Sequence, residues 1–528
     1  MLTRRPLQCV ARFTASASAS QIDPKEIVEP AKRPAIKEVK SMNAATATKS
    51  LYEMASIKSR RSPAGERLHR LPAQAVPGLR NALLATEINP KQLQNEADQL
   101  FERLKHRRFP ASSEMLKGIR MQLKKELRRK AEDERISGDQ LESEADEVKI
   151  KRQSDKLLRK ADYKWAPLDV NKEHDAVVYA LARLAPNYAE ISRVIAEFAR
   201  ADGFSPKTVL DFGCGTGAGF WAVHDAFGLD VDEYLLVDAS DAMTRLAVDL
   251  MRDESMVHPN GLIHPNVNVR RHFLPSLQTT YDLVIAHRTL SEVGSNEARL
   301  ELLRQLWQRT NRFLVLIEDS KRDAFESILT ARDFVVTEGQ ALDLEATRRL
   351  LAEHNFLDEA MDRLLHDGRL SEYERLELIK AKLPADFALP TAMDPGFIFA
   401  PCPHDMGCPK QIDGKCLAPI RWEAVRADGK TQGRHNDNTD EGSISYVILE
   451  KGSRAPGSLP GERILQASHS AKHSTCDVCT AFNGVQRFTL TKKHRNFYQG
   501  IRARRAGDLL PFAMRKLEGD DPFDKFML

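Results

Sequence analysis

Thr208-Val-Leu-Asp-Phe-Gly-Cys-Gly-Thr-Gly-Ala-Gly-Phe-Trp221 decides the fold of this chain. A short apolar run, Val209 and Leu210, ends in Asp211. Glycines then fall at 213, 215, 217 and 219, and a helical pattern begins at Phe220 and Trp221. Glycines at alternate positions let the backbone turn sharply and approach a ligand that a Cβ would push away. The helix start behind them offers free N–H groups. A glycine-rich strand-to-helix turn also suits a nicotinamide dinucleotide, but that fold prefers G-x-G-x-x-G. Here the glycines recur every second residue after the acid.

A second strand, Tyr234-Leu-Leu-Val237, closes with Asp238, placed to grip a ribose diol. A third, Tyr281 to Ala286, opens the run YDLVIAHRTLSEV. These three features together resemble the S-adenosylmethionine-dependent methyltransferases. Outward from them, the chain alternates strands and helices: Ser240 caps a helix, Glu297 to Arg309 forms another, and Phe313 to Glu318 is the next strand. Such alternation predicts a parallel, doubly wound sheet with Asp211, Asp238 and Glu318 at its carboxyl ends. Val177 to Ala201 reads as two amphipathic helices broken at Pro186.

At 528 residues the chain exceeds one compact core. We divide it into a presequence (1–22), a disordered linker (23–75), a charged helical region (76–176), a methyltransferase-like core (177–338), a helical insertion (339–390), a cysteine-rich region (391–515) and a tail (516–528). The first segment carries Arg4, Arg5 and Arg12 with no acid before Asp23, the composition of a mitochondrial leader. No apolar run approaches the ~20 residues that cross a bilayer, so membrane insertion is not expected. With 79 basic and 75 acidic residues leaving a net charge of +4, nucleic-acid binding has to come from local patches. One runs from Lys492 to Arg505 and interleaves cations with Phe497 and Tyr498; a smaller one is Arg270, Arg271 and His272. Cations neutralise phosphates, and aromatic rings stack on unpaired bases.

Five of the seven cysteines fall late in the chain among prolines and glycines, and Cys402, Cys408, Cys416 and the pair Cys476 and Cys479 supply the candidates. Soft thiolates select zinc or an iron–sulfur cluster. Zinc sites more often show two close cysteine pairs, and only Cys476-Asp-Val-Cys479 has that spacing. The unequal spacing leans towards a cluster on four cysteines, with zinc the alternative and either Cys476 or Cys479 the fourth ligand. His404 is expected beside the ligands, not among them.

The methyltransferase core, the phrase IFAPCPHDMGCP at 398–409, Cys416, a late strand ending in Cys479-Thr480 and the run LIEDSKRDAFESILTARDFV at 316–335 occur in one order. The combination resembles the mitochondrial small-ribosomal-subunit methyltransferase-like family over Val177 to Phe512. That resemblance implies a Rossmann-like S-adenosylmethionine methyltransferase core with an N-terminal helical region and a C-terminal cysteine-rich cluster-binding domain. It implies S-adenosylmethionine held by Asp211, Gly213, Gly215, Gly217 and Asp238. It further implies a [4Fe–4S] cluster on Cys402, Cys408, Cys416 and Cys479. The expected role is assembly of the small mitoribosomal subunit in the matrix, through its rRNA and proteins and alongside other assembly factors. The chain departs from the family at Asp319-Ser320-Lys321 and at Leu417.

No catalytic residue is assigned. Transfer to a base amine usually uses an Asp/Asn-Pro-Pro-aromatic segment after the strand ending at Ala286, and here stands His287-Arg-Thr-Leu-Ser-Glu292. A cysteine-assisted transfer would want a Pro-Cys there. His287 and Glu292 are the nearest polar groups, expected to line the pocket. An active rRNA methyltransferase and a zinc-stabilised methyltransferase of another substrate are the competing readings.

Overall fold

The computed structural model describes residues 68–512 apart from short interruptions, the longest being 136–143, 161–164, 274–278, 431–436 and 455–460. The presequence, most of the expected linker and the tail at 516–528 lie outside the described residues.

Among the described residues four helices precede the core: α1 (Ala75–Ala85), α2 (Pro90–His106), α3 (Ser113–Arg135) and α4 (Glu144–Lys160). Leu93, Ala97 and Leu100 bury one face of α2 against Val178 and Leu181 of α5 (Glu173–Ile195). Charged α3 and α4 pair with each other through Arg120–Asp155 and Arg128–Glu147. These pairs are exposed and add at most about 1 kcal/mol each.

The core alternates β1 (Thr208–Phe212), α6 (Ala218–Phe227), β2 (Glu233–Val237), α7 (Asp241–Leu250), β3 (Val267–Arg270), β4 (Tyr281–His287), α8 (Asn296–Gln308), β5 (Thr310–Asp319) and α9 (Arg322–Glu338). Three small helices follow, α10 (Leu344–Glu353), α11 (Glu359–His366) and α12 (Glu372–Lys380), with their own apolar centre at Leu351, Leu365 and Ile379. Then come β6 (Gly396–Ala400), β7 (Ala418–Glu423), β8 (Thr439–Lys451), β9 (Arg463–His469), β10 (His473–Cys479), β11 (Val485–Thr491) and α13 (Arg495–Arg502).

The strand order is β3-β2-β1-β4-β5-β8-β6, with β7 also on β8. The first five strands are parallel, and β8 is antiparallel to β5. Alternate side chains serve the two faces: Val209, Leu283 and Phe313 pack under α5 and α6, while Leu210, Val284 and Leu314 pack under α8 and α9. The order reverses between β1 and β4, where open α/β sheets bind ligands. This is a Rossmann-like, doubly wound α/β core with N-terminal helices.

Three expectations need correction. The boundary at 338 does not end the core, because β6, β7 and β8 complete its sheet from within the cysteine-rich region. Among the described residues only β9, β10 and β11 form a sheet apart from it, so 391–515 is not one distinct domain. Pro186 does not break a helix: α5 runs through it. A mid-helix proline costs about 3 kcal/mol, but α5 is buried along nearly its whole length, and that packing outweighs the lost hydrogen bond. Among the described residues no helix is long and apolar enough to cross a membrane.

Candidate functional site

The loop after β1 is built by its glycines. Gly213, Gly215 and Gly217 have φ of 73°, 52° and 82°, a region that side chains rarely adopt. Gly213 N–H donates to Val237 O at 2.7 Å, tying the loop to the end of β2. A Cβ on Gly219 would stand 2.3 Å from Asp211 Oδ2, so α6 starts directly against that carboxylate.

Asp211 is 1% exposed, and neither carboxylate oxygen has a hydrogen-bond partner among the described residues. Burial, and then the Asp238 charge, push it up to about 7. A buried carboxylate without a donor is costly, and a cationic ligand group would remove that cost. Tyr179, Asn187, Gly213, Gly215 and His287 line the same cleft, whose volume is about 270 Å³ with its open side. S-adenosylmethionine carries an ammonium group, so the residues present fit it. Asp238 is engaged from the loop side: Gly215 N–H and Ser240 N–H donate to it at 2.8 and 2.9 Å. It lies at the end of β2 as expected, already oriented by two amides.

His287 lines the cleft but is held from behind. Its Nε2 lies 2.7 Å from Glu190, which also accepts two bonds from Arg288 at 2.8 Å and one from Arg183 at 3.0 Å. Burial opposes charge on Glu190, but Arg288 and Arg183 outweigh it and hold the carboxyl well below its usual range. Burial keeps His287 low. Glu292 does not line the cleft: it pairs with Arg107 and accepts from Leu168 N–H at 2.7 Å. Glu318 accepts from Leu290 N–H at 2.8 Å, and burial pushes it up to about 8. Asp319 pairs with Lys321 at 2.9 Å, and Lys321 Nζ reaches the carbonyls of Leu104 and Arg107. The loops after β4 and β5 are thus fastened to the end of α2.

Glu190, Arg183 and Arg288 were absent from the sequence-derived candidates. Arg183, Asn187 and Glu190 recur at helical spacing inside an apolar segment, a signal for buried polar partners.

A second cavity, about 520 Å³ counting its mouth, lies between α9, the loop after β6 and the small sheet. Cys402, Cys408, Cys416 and Cys479 all line it. Cys476 does not: it is fully buried with Ile464, Val478 and Leu490 in the apolar centre of the small sheet. Burial pushes Cys416 up to about 12, with Cys402 and Cys408 adding to it. Burial likewise raises Cys479, and the same neighbours add to that. His404 Nε2 lies 3.4 Å from Cys479 Sγ, and its Nδ1 faces Met406 O at 3.1 Å.

Among the described residues no three His, Cys, Asp or Glu are grouped as a single metal ion requires. Cys402, Cys408, Cys416 and Cys479 nonetheless share the lining of one cavity.

Lys492, Lys493, Arg495, Arg502 and Arg505 are exposed on α13 and the turns around it. The aromatic rings among them are not available for stacking. Tyr498 is buried under Arg502, and Phe497 packs edge-on against Phe512 at 5.1 Å. The amphipathic helix turns its aromatic face inward, which corrects the expectation of base stacking there. Arg270, Arg271 and His272 are exposed at the end of β3.

The family described as "Mitochondrial small ribosomal subunit Rsm22" matches residues 173–343 and 368–511. The human "Ribosome assembly protein METTL17, mitochondrial" is 30% identical over 358 residues, covering 67% of this chain and 66% of that protein. The fission-yeast "Rsm22-cox11 tandem protein 2, mitochondrial" is 23% identical over 265 residues, 47% of this chain and 28% of that protein. The chain thus spans less than two thirds of these relatives' lengths. Among solved structures, magnesium protoporphyrin IX methyltransferase of Synechocystis PCC 6803 aligns at 17% identity over 37% of this chain and 88% of that one, with a TM-score of 0.23.

Proposed function

As the chain belongs to the mitochondrial small ribosomal subunit Rsm22 family, we propose that it is a mitochondrial assembly factor of the small ribosomal subunit. It acts in the matrix, binds small-subunit rRNA and supports mitochondrial translation. Ribosomal proteins and other assembly factors are its further partners. The observation that carries this reading is the family match across both the methyltransferase core and the cysteine region.

Asp211, Gly213, Gly215, Gly217 and Asp238 hold S-adenosylmethionine in this reading. The free carboxylate of Asp211 supports it by suiting the ligand's ammonium. When bound, that cofactor supplies an electrophilic methyl group. Cys402, Cys408, Cys416 and Cys479 hold a [4Fe–4S] cluster, supported by their common cavity and by its exclusion of Cys476. Zinc is the alternative occupant. The cluster would stiffen the loop after β6 against the small sheet, whose basic side then meets RNA.

Binding is favoured over catalysis by the segment after β4. It lacks an Asp/Asn-Pro-Pro-aromatic run. Glu292 and Lys321, in the loops where an acceptor would enter, are occupied by Arg107 and the end of α2. The glycine loop and Asp211 favour the second reading, an active rRNA methyltransferase.

Cross-linking the protein to RNA in intact mitochondria tests the proposal. Small-subunit rRNA should be recovered, and recovery of no rRNA would end it. Purified protein is expected to transfer no labelled methyl group to that RNA. Transfer abolished by Asp211→Ala would establish the second reading instead.

The basic surface gives a further expectation. Replacing Lys492, Lys493 and Arg495 together by glutamine removes three cations and should flatten the dependence of log affinity on log salt by about 2. A slope that does not change places the RNA elsewhere on the molecule.

A further inference from the structure

Two arginines are buried against the four thiols. Arg332, on α9, is 1% exposed and Arg463, at the start of β9, is 2% exposed; both line the cysteine cavity. Lys410 lines it too, and among the described residues no carboxylate does. A guanidinium stays charged, so each one buried must face negative charge or remain uncompensated.

Arg463 has a partner, but a divided one. Its Nη1 and Nη2 donate to Glu197 at 2.8 and 3.0 Å, and its Nε to Pro401 O at 3.0 Å. Glu197 also pairs with Arg193 at 3.2 Å and Arg200 at 3.2 Å, so one carboxylate serves three guanidiniums. Arg332 pairs with Asp333 and donates to Met406 O. Its Nε is buried with no acceptor among the described residues. The cavity is therefore lined by two guanidiniums beside its four thiols, and Arg332 Nε is an unused donor among the described residues.

We propose that Arg332 and Arg463 are the counter-ions of an anionic metal–sulfur centre held by the four thiolates, that Arg332 Nε–H donates to a sulfur of that centre, and that the two arginines raise its reduction potential. This assignment rests on the four-thiolate reading given above. Four thiolates leave such a centre with net negative charge, and an added electron deepens it without a bond or proton changing place. Fixed positive charge in a low-dielectric site stabilises the more negative state. Hydrogen bonds to the sulfurs, net charge and solvent exposure are what set such potentials. A single zinc ion on the same thiolates would accept no electron.

The test uses the full chain purified without oxygen. Iron and acid-labile sulfide are measured first, and the midpoint potential is then followed by electron paramagnetic resonance with dithionite as the electron donor. Arg332→Gln should shift the potential downward, and Arg332→Lys, which keeps the charge, should shift it less. Arg463→Lys probes the second position while leaving Glu197 paired. Loss of iron in Arg332→Gln with retention in Arg332→Lys would equally support the assignment, since charge is then what the centre requires. An unchanged potential in iron-loaded Arg332→Gln overturns it, as does equal loss of iron in both variants. Wild-type protein without iron and sulfide sinks the four-thiolate reading itself, and this assignment with it.

Discussion

Glu197→Ala is expected to destabilise the folded chain by about 3–5 kcal/mol, the usual cost of removing one partner from a buried ionic group. Glu197 is 0% exposed, in the short 3-10 helix Ala196–Arg200 that follows α5. It meets Arg193, Arg200 and Arg463, and Tyr446 Oη donates to it at 2.8 Å. Alanine would leave the three guanidiniums buried together without their shared anion. The same carboxylate joins the methyltransferase sheet, through Tyr446 on β8, to the start of β9. Its loss should therefore loosen the small sheet first.

Burial opposes ionisation of Glu197, but Arg463, Arg200 and Arg193 together drive its carboxyl far below the usual range. A depressed carboxyl contributes stability that is present above its unfolded value of 4.5 and is lost as pH falls below it. Wild-type protein should thus weaken through the acid range more than Glu197→Ala does. The check is the first transition in a denaturant series at several pH values. A cost under about 1 kcal/mol at neutral pH would mean that the cluster is relieved by water or by rearrangement.

Asp211→Asn should separate stability from binding. In the folded chain without ligand, burial pushes Asp211 from 3.8 up to about 7. A raised carboxyl pKa means that folding takes up a proton between those values. Stability then falls as pH rises across that window, and the full cost is present above it. Asparagine has no charge to bury. The variant without ligand should be more stable than wild type by about 1–3 kcal/mol at pH 8, and indistinguishable from it near pH 4. Its affinity for S-adenosylmethionine should fall by roughly 30- to 150-fold, the worth of a charged hydrogen bond of about 2–3 kcal/mol. Calorimetry and thermal unfolding measure both effects. Undiminished binding would show that the ammonium rests elsewhere; a less stable variant at pH 8 would show that Asp211 has a partner.

Much of this architecture was legible because its signals are local. The glycine spacing needs positive φ at 213, 215 and 217, and the structure has it there. Acids at the ends of β1 and β2 follow directly from apolar runs that stop at Asp211 and Asp238. Completion of the sheet was not legible. β8 pairs with β5 from more than a hundred residues away, and no local pattern distinguishes a strand that joins an old sheet from one that starts a new one. Cys476 and Cys479 were inseparable by spacing, since both occupy β10. A register shift between Asp477 and Val478 accompanies the parting of their side chains, one to the apolar centre and one to the cavity. The aromatic residues at 497 and 498 misled because charge and ring alternate in sequence, whereas the helix sorts them onto opposite faces. The Glu190 and Glu197 networks depend on partners from distant strands, although the helical spacing of Arg183, Asn187 and Glu190 marked polar positions on α5.

Iron and acid-labile sulfide, counted per chain in oxygen-free protein and in the Cys476→Ser and Cys479→Ser variants, test the cysteine cavity most directly. The expected result is about four of each in the wild type, retained in Cys476→Ser and lost in Cys479→Ser. Equimolar zinc without iron, or equal losses in the two variants, would contradict it.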